Sequence, residues 1–146
     1  MKTLSNDIFF AQVESEIEAG RSVRFKVKGN SMYPLLRNGI DEVTLSPLYK
    51  EPDKMDIILF KYNGKHILHR IINIKDGVYT IQGDGIYASY ETCVREDIIG
   101  VVTAIHKQNS TTLDPYSKSI KFSSLVWIRI RFVRRWILAV LRIIKK

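Results

Sequence analysis

Two short segments carry residues able to do chemistry together. The first is Gly29-Asn30-Ser31-Met32-Tyr33-Pro34, and the second is His69-Arg70, followed later by Gly83-Asp84-Gly85. A serine hydroxyl is a poor nucleophile until a neighbouring base takes its proton. Histidine is the commonest such base, because its unperturbed pKa lies near operating pH. Gly29 and Asn30 tolerate a left-handed backbone, so the chain can turn sharply and present the Ser31 hydroxyl. The same turn fixes the direction of the Ser31 N–H, a natural donor to an oxyanion. Met32 can fill an irregular apolar gap or touch an apolar substrate side chain, and Pro34 stiffens the loop. The bland alternatives are a capping serine, a satisfied strand histidine and an aspartate bonding its own turn. What lifts the three together is their order, Ser31, His69 and Asp84, each at a turn or strand where one cleft could form.

The elements that must position them follow from periodicity. Residues 5–19 read as a helix, with Ser5-Asn6-Asp7 as cap candidates, Ile8, Phe9, Val13 and Ile17 near one face, and Gly20 as the stop. Residues 22–28 alternate polar and apolar, as a half-buried strand does. A second short strand is expected over 42–45. Asn63-Gly64-Lys65 is a hairpin signal between strands over 55–62 and 66–74. Asp76-Gly77 turns the chain into a strand over 78–82, and 98–106 is a further apolar strand. Many short strands with regular turns predict a mostly β, antiparallel domain with a helix at each end. The expected organisation is an N-terminal helix (1–20), a β domain (21–108), a linker (109–122) and a basic helix (123–146).

Taken together, the 29–34 loop, Met55-Asp56-Ile57-Ile58-Leu59-Phe60, His69-Arg70-Ile71, Gly83-Asp84 and Ile98-Ile99-Gly100-Val101-Val102 resemble the type I signal peptidases and their LexA-like relatives, in the family's order. The resemblance implies a LexA/signal-peptidase-like β fold and a serine endopeptidase with Ser31 as nucleophile. Bacterial members generally use a lysine where this chain has His69, so the match is to the histidine branch. It makes His69 the base, Arg70 a neighbouring support, and Asp84 the expected group to orient His69 or hold the site together. Glu91 is a lesser stand-in for the branch's second acid. Gly29 occupies the position of a serine oxyanion donor in many bacterial members, which leaves the hole to backbone N–H groups around Gly29, Asn30 and Ser31. Gly39-Ile40-Asp41 has one residue more than the family's Gly-Asp. The substrate implied is an extended leader or membrane-proximal peptide, and no metal or organic cofactor is implied.

Composition limits the alternatives. With 45% hydrophobic and 26% charged residues, the chain is an ordinary globular one, but its net charge is +8. Five Arg and two Lys after Ser123, with no acid, supply +7 of it. The lone Cys93 cannot form an internal disulfide. Neither a secretory signal in residues 1–20 nor a spanning stretch of about 18–20 apolar residues is expected, and so neither is the family's N-terminal anchor. Residues 125–146 suit one long helix. Arg131, Arg134, Arg135 and Arg142 fall with both terminal lysines in an arc of about 120°, and Trp136 lies on the broad apolar remainder. That pattern predicts a helix lying in an anionic membrane interface, on the cytoplasmic face, with no nucleic-acid partner. Two other readings remain open. One is an inactive, membrane-associated peptide-binding module. The other is a LexA-like self-cleaving regulator, disfavoured by the short segment before Ser31 and by the histidine base.

Overall fold

The computed structural model describes residues 6–129 and 131–145. It is mostly β, with helices at both ends, as expected. The described elements are α1 (Asn6–Glu18), β1 (Val23–Lys26), β2 (Glu42–Ser46), β3 (Ile57–Tyr62), β4 (Lys65–Lys75), β5 (Val78–Gln82), β6 (Glu91–Val94), β7 (Ile98–His106), β8 (Thr112–Leu113), α2 (Lys118–Arg129) and α3 (Arg131–Lys145). The strands form one antiparallel sheet in the order β1-β2-β7-β3-β4-β5-β6, with β8 paired to the end of β7. Asn63 (φ 50°) and Gly64 (φ 76°) turn the β3–β4 hairpin, and Asp76 (φ 50°) and Gly77 (φ 76°) turn β4 into β5. Both pairs have the left-handed dihedrals that match the twist of adjacent strands.

Strand β3 explains the layering. Ile57 and Leu59 pack with Val13, Ile17, Phe25, Met32 and Leu36 in one core, whereas Ile58 and Phe60 pack with Ile71, Tyr79 and Ile81 in another. A period of two along one strand therefore feeds two cores, one on each face of the sheet. Helix α1 covers the first core through Val13 and Ile17, and ends where the Gly20 N–H donates to the Ile17 carbonyl at 2.9 Å. Ile8, expected on the apolar face, is instead exposed, and Ser5 lies outside the described residues.

Three elements differ from expectation. Strand β6 was not anticipated; four residues beside an irregular loop give little periodicity to read. The expected linker over 109–122 contains β8, held by the ladder Ile105 with Leu113 and His106 with Thr112. Helix begins at Lys118 rather than Ser123, and it continues on both sides of Ile130, which lies outside the described residues. Ser124 is buried and Trp127 is half-buried, so the segment packs on the domain.

Candidate active site

Strand alternation decides which way His69 and Arg70 face. In the β3–β4 ladder His69 stands opposite Ile58, and Arg70 opposite Ile57. Directly paired residues share a face, so the imidazole lies on the side of Ile58 and Phe60, and the guanidinium on the other. Both side chains are buried. The β4–β5 and β5–β6 registers continue the same logic. Ile71 pairs with Ile81, and Ile81 with Glu91, which brings Glu91 to the face that carries His69. There His69 Nδ1 lies 2.5 Å from Glu91 Oε1.

That bond determines the chemistry of the ring. A carboxylate accepts from Nδ1–H, which leaves Nε2 as the lone-pair nitrogen of the neutral imidazole. Nε2 faces Gly83. A Cβ built on Gly83 would stand 3.0 Å from His69 Nε2 and 2.2 Å from the Ser31 carbonyl oxygen. The Ser31 carbonyl oxygen and His69 Nε2 thus both close on one glycine, no further apart than those distances laid end to end. The Gly85 N–H donates to the same Ser31 oxygen at 2.8 Å. Gly85 also admits the Asn30 carbonyl, 2.2 Å from where a Cβ would sit. The serine loop is therefore seated on the Gly83–Gly85 turn. Ser31 is half-buried, and its Oγ does not hydrogen-bond His69 in this structure. Catalytic bonds of this kind often close only when substrate is bound.

Asp84 does not orient His69. Its carboxylate accepts from Arg70 Nε at 2.8 Å and Nη2 at 2.9 Å, a buried two-point ion pair on the opposite face. Arg70 also donates to the Met55 carbonyl at 3.0 Å. The pair ties β4 to the turn after β5, and both groups are buried. Met32 is likewise enclosed in the first core, where it fills a gap, and its sulfur accepts from the Asp84 N–H at 3.4 Å. The Gly29 N–H is taken by Asn38 Oδ1 at 2.8 Å, so Gly29 closes the loop and is no oxyanion donor. Pro34, half-buried after a cis peptide from Tyr33, shapes the same loop. Among the described residues the Ser31 N–H is not engaged within the protein, so it remains the donor of choice.

Asp41, displaced by the extra residue at Ile40, still reaches a buried position while Ile40 turns outward. It accepts from Arg37 Nη2 at 2.8 Å and from Lys107 Nζ at 2.7 Å, and Lys107 also donates to the Leu35 carbonyl at 2.6 Å. Burial alone would raise the Asp41 pKa, but the bonds from Arg37 and Lys107 outweigh it and hold the group at about 2. The cluster anchors the C-terminal side of the Ser31 loop to the end of β7.

A second histidine–carboxylate pair shows what is distinctive here. His66 Nε2 lies 2.6 Å from Glu14 Oε1 and stacks on Phe10, but no serine loop meets it. Cavities of about 220 Å³, against Pro47, Pro52 and Tyr116, and about 210 Å³, against Glu14, Glu18 and Glu96, include neither Ser31 nor His69. Among the described residues no group of three or more His, Cys, Asp or Glu could hold a metal ion.

In α3, Leu138, which the helical wheel puts within the basic arc, is buried. Trp136 (67% exposed), Val140, Ile143 and Ile144 face outward, and Arg135 and Arg142 are exposed. The side chains of Arg131 and Arg134 lie outside the described residues. Among the described residues no helix is long and apolar enough to cross a membrane. No protein-family model matches the chain, and no curated protein matches it.

Proposed function

We propose that this protein is a serine endopeptidase of the signal-peptidase-like kind, with Ser31 as nucleophile, His69 as base and Glu91 as the group that orients the base. The observation that carries the reading is the Glu91 bond to His69 Nδ1, which leaves Nε2 toward the Ser31 loop. Ser31 Oγ attacks the scissile carbonyl carbon as His69 Nε2 takes its proton. Glu91 stabilises the imidazolium, and the Ser31 N–H receives the developing oxyanion. The imidazolium then returns the proton to the departing amine. Water, deprotonated by His69, hydrolyses the acyl-enzyme. The substrate proposed is an extended peptide, added as a strand beside the Ser31 loop.

The test is digestion of a peptide library by the full chain, with cleavage read by mass spectrometry. Cleavage that disappears in both Ser31→Ala and His69→Ala supports the reading. Cleavage that survives both variants, or a wild-type chain that only binds peptides, overturns it in favour of a binding module.

The outward apolar face of α3 supports peripheral docking to an anionic membrane. A Trp, with Arg135 5.6 Å from the centre of its ring, and three branched aliphatics are exposed there, and each cation near such a surface contributes about 1 kcal/mol. The chain should co-sediment with vesicles of phosphatidylglycerol in phosphatidylcholine, less so with pure phosphatidylcholine. Trp136→Ala should weaken it in both cases. Equal recovery without vesicles would remove this part of the proposal.

A further inference from the structure

We propose that Trp127 is a positioning residue for the Ser31–His69 pair, which makes helix α2 part of the active site. This rests on the peptidase reading above. The indole Nε1–H of Trp127 donates to the Asp84 carbonyl at 2.7 Å, joining positions 43 residues apart. Asp84 is the centre of the turn on which the site is built. Its carboxylate is pinned by Arg70, its N–H lies against Met32 Sδ, and the next N–H, that of Gly85, holds the Ser31 carbonyl. The remaining polar group of its peptide unit, the carbonyl, is held from α2.

Gly83 fills the gap between Ser31 and His69 with no room for even a methyl group. A displacement of this turn therefore moves the Ser31 backbone that it holds relative to the imidazole. Trp127 is well suited to prevent it. An indole is rigid, offers one donor and brings a large apolar surface. Ser124, buried one turn earlier, seats the same helix on the domain. Removal of the donor leaves the Asp84 carbonyl without this bond and lets the turn relax. The effect expected is on chemistry rather than on substrate capture, because Trp127 bonds the turn and not the peptide.

The experiment uses the full chain with Trp127→Phe, which keeps an aromatic ring and deletes the N–H. As a near-isosteric second variant, benzothienylalanine replaces tryptophan in a Trp136→Phe background, so that only position 127 changes and folding is preserved. Amide exchange at Gly85 should quicken about tenfold, the equivalent of one ordinary hydrogen bond. Reaction of Ser31 with a fluorophosphonate probe should slow by a similar factor. For a cleaved peptide, kcat should fall with KM unchanged. Leu138→Ala, which loosens α3 without touching this bond, should lower the melting temperature and leave Gly85 exchange as it was. Wild-type Gly85 exchange in both Trp127 variants overturns the proposal, even in an active enzyme. A wild-type chain that neither cleaves peptides nor takes the probe overturns the peptidase reading itself, and the catalytic role of Trp127 with it, whatever the exchange shows.

Discussion

Glu91 reaches His69 across an intervening strand, with 2.5 Å between Oε1 and Nδ1, although the two residues never pair in the sheet. Strand β5 stands between them, and its Ile81 shares their face. The bond selects the tautomer with a free Nε2. It also places the charge that an imidazolium needs on the side away from the nucleophile.

Glu91→Gln keeps the size of the side chain but removes its charge. The amide can donate to Nδ1 and so favour the wrong tautomer. Peptide cleavage should drop by about 10²–10⁴-fold, with little change in the melting temperature. Initial rates across pH check this; a loss below about threefold would return the orienting role to another group.

Arg70 and Asp84 should behave in the opposite way. Each is buried, and removal of one leaves the other charged and without its two-point ion-pair partner. Asp84→Ala or Arg70→Ala should cost about 3–5 kcal/mol in urea unfolding. Any loss of activity should follow the loss of folded protein. A stable Asp84→Ala protein with no activity would show instead that Asp84 acts in the chemistry.

Gly83 and Gly29 offer a contrast between crowding and backbone conformation. Gly83→Ala puts a carbon 2.2 Å from the Ser31 carbonyl oxygen and 3.0 Å from His69 Nε2, so it must shift the backbone of the serine loop, the imidazole or both. Cleavage should be abolished. Gly29 has φ +83° with nothing within 4 Å of a Cβ, so Gly29→Ala meets only left-handed strain, of about 1–2 kcal/mol. That variant should retain activity at a lower unfolding midpoint.

Asp41 supplies an acid-sensitive clamp. Its pKa is held at about 2 in the folded chain against 3.8 as the ordinary value. A depressed carboxylate pKa means stability that is present above the unfolded value and lost as pH falls through the folded one. The contribution is about 2 kcal/mol above pH ~4, and it disappears toward pH ~2. Urea midpoints measured across that window should fall for the wild type. Asp41→Asn should begin lower and show a flatter slope.

The residues show how much of this was legible in the linear chain. Local signals placed the Asn63-Gly64 and Asp76-Gly77 turns, the 78–82 and 98–106 strands, and the helix stop at Gly20, because turn dihedrals and period-two burial are properties of neighbouring residues. Ser31 and His69 were singled out by type and setting, and the fold does bring their segments together around Gly83. The partner of His69 is not legible: the sequence offers both Asp84 and Glu91 and favours Asp84. Asp84 sits in a more conspicuous motif, whereas Glu91 lies on a four-residue strand with little pattern of its own.

Sequence alone determined the antiparallel β character, the loop able to present a hydroxyl and the concentration of charge in the C-terminal segment. Composition and short-range periodicity are sufficient for these. Tertiary structure decided which carboxylate meets which base, that Arg70 faces away from His69, that α2 bonds the Asp84 carbonyl, and that α3 turns its tryptophan outward. Each of these depends on strand register or on packing between distant segments. A one-residue slip in either would send the same side chains to the opposite face.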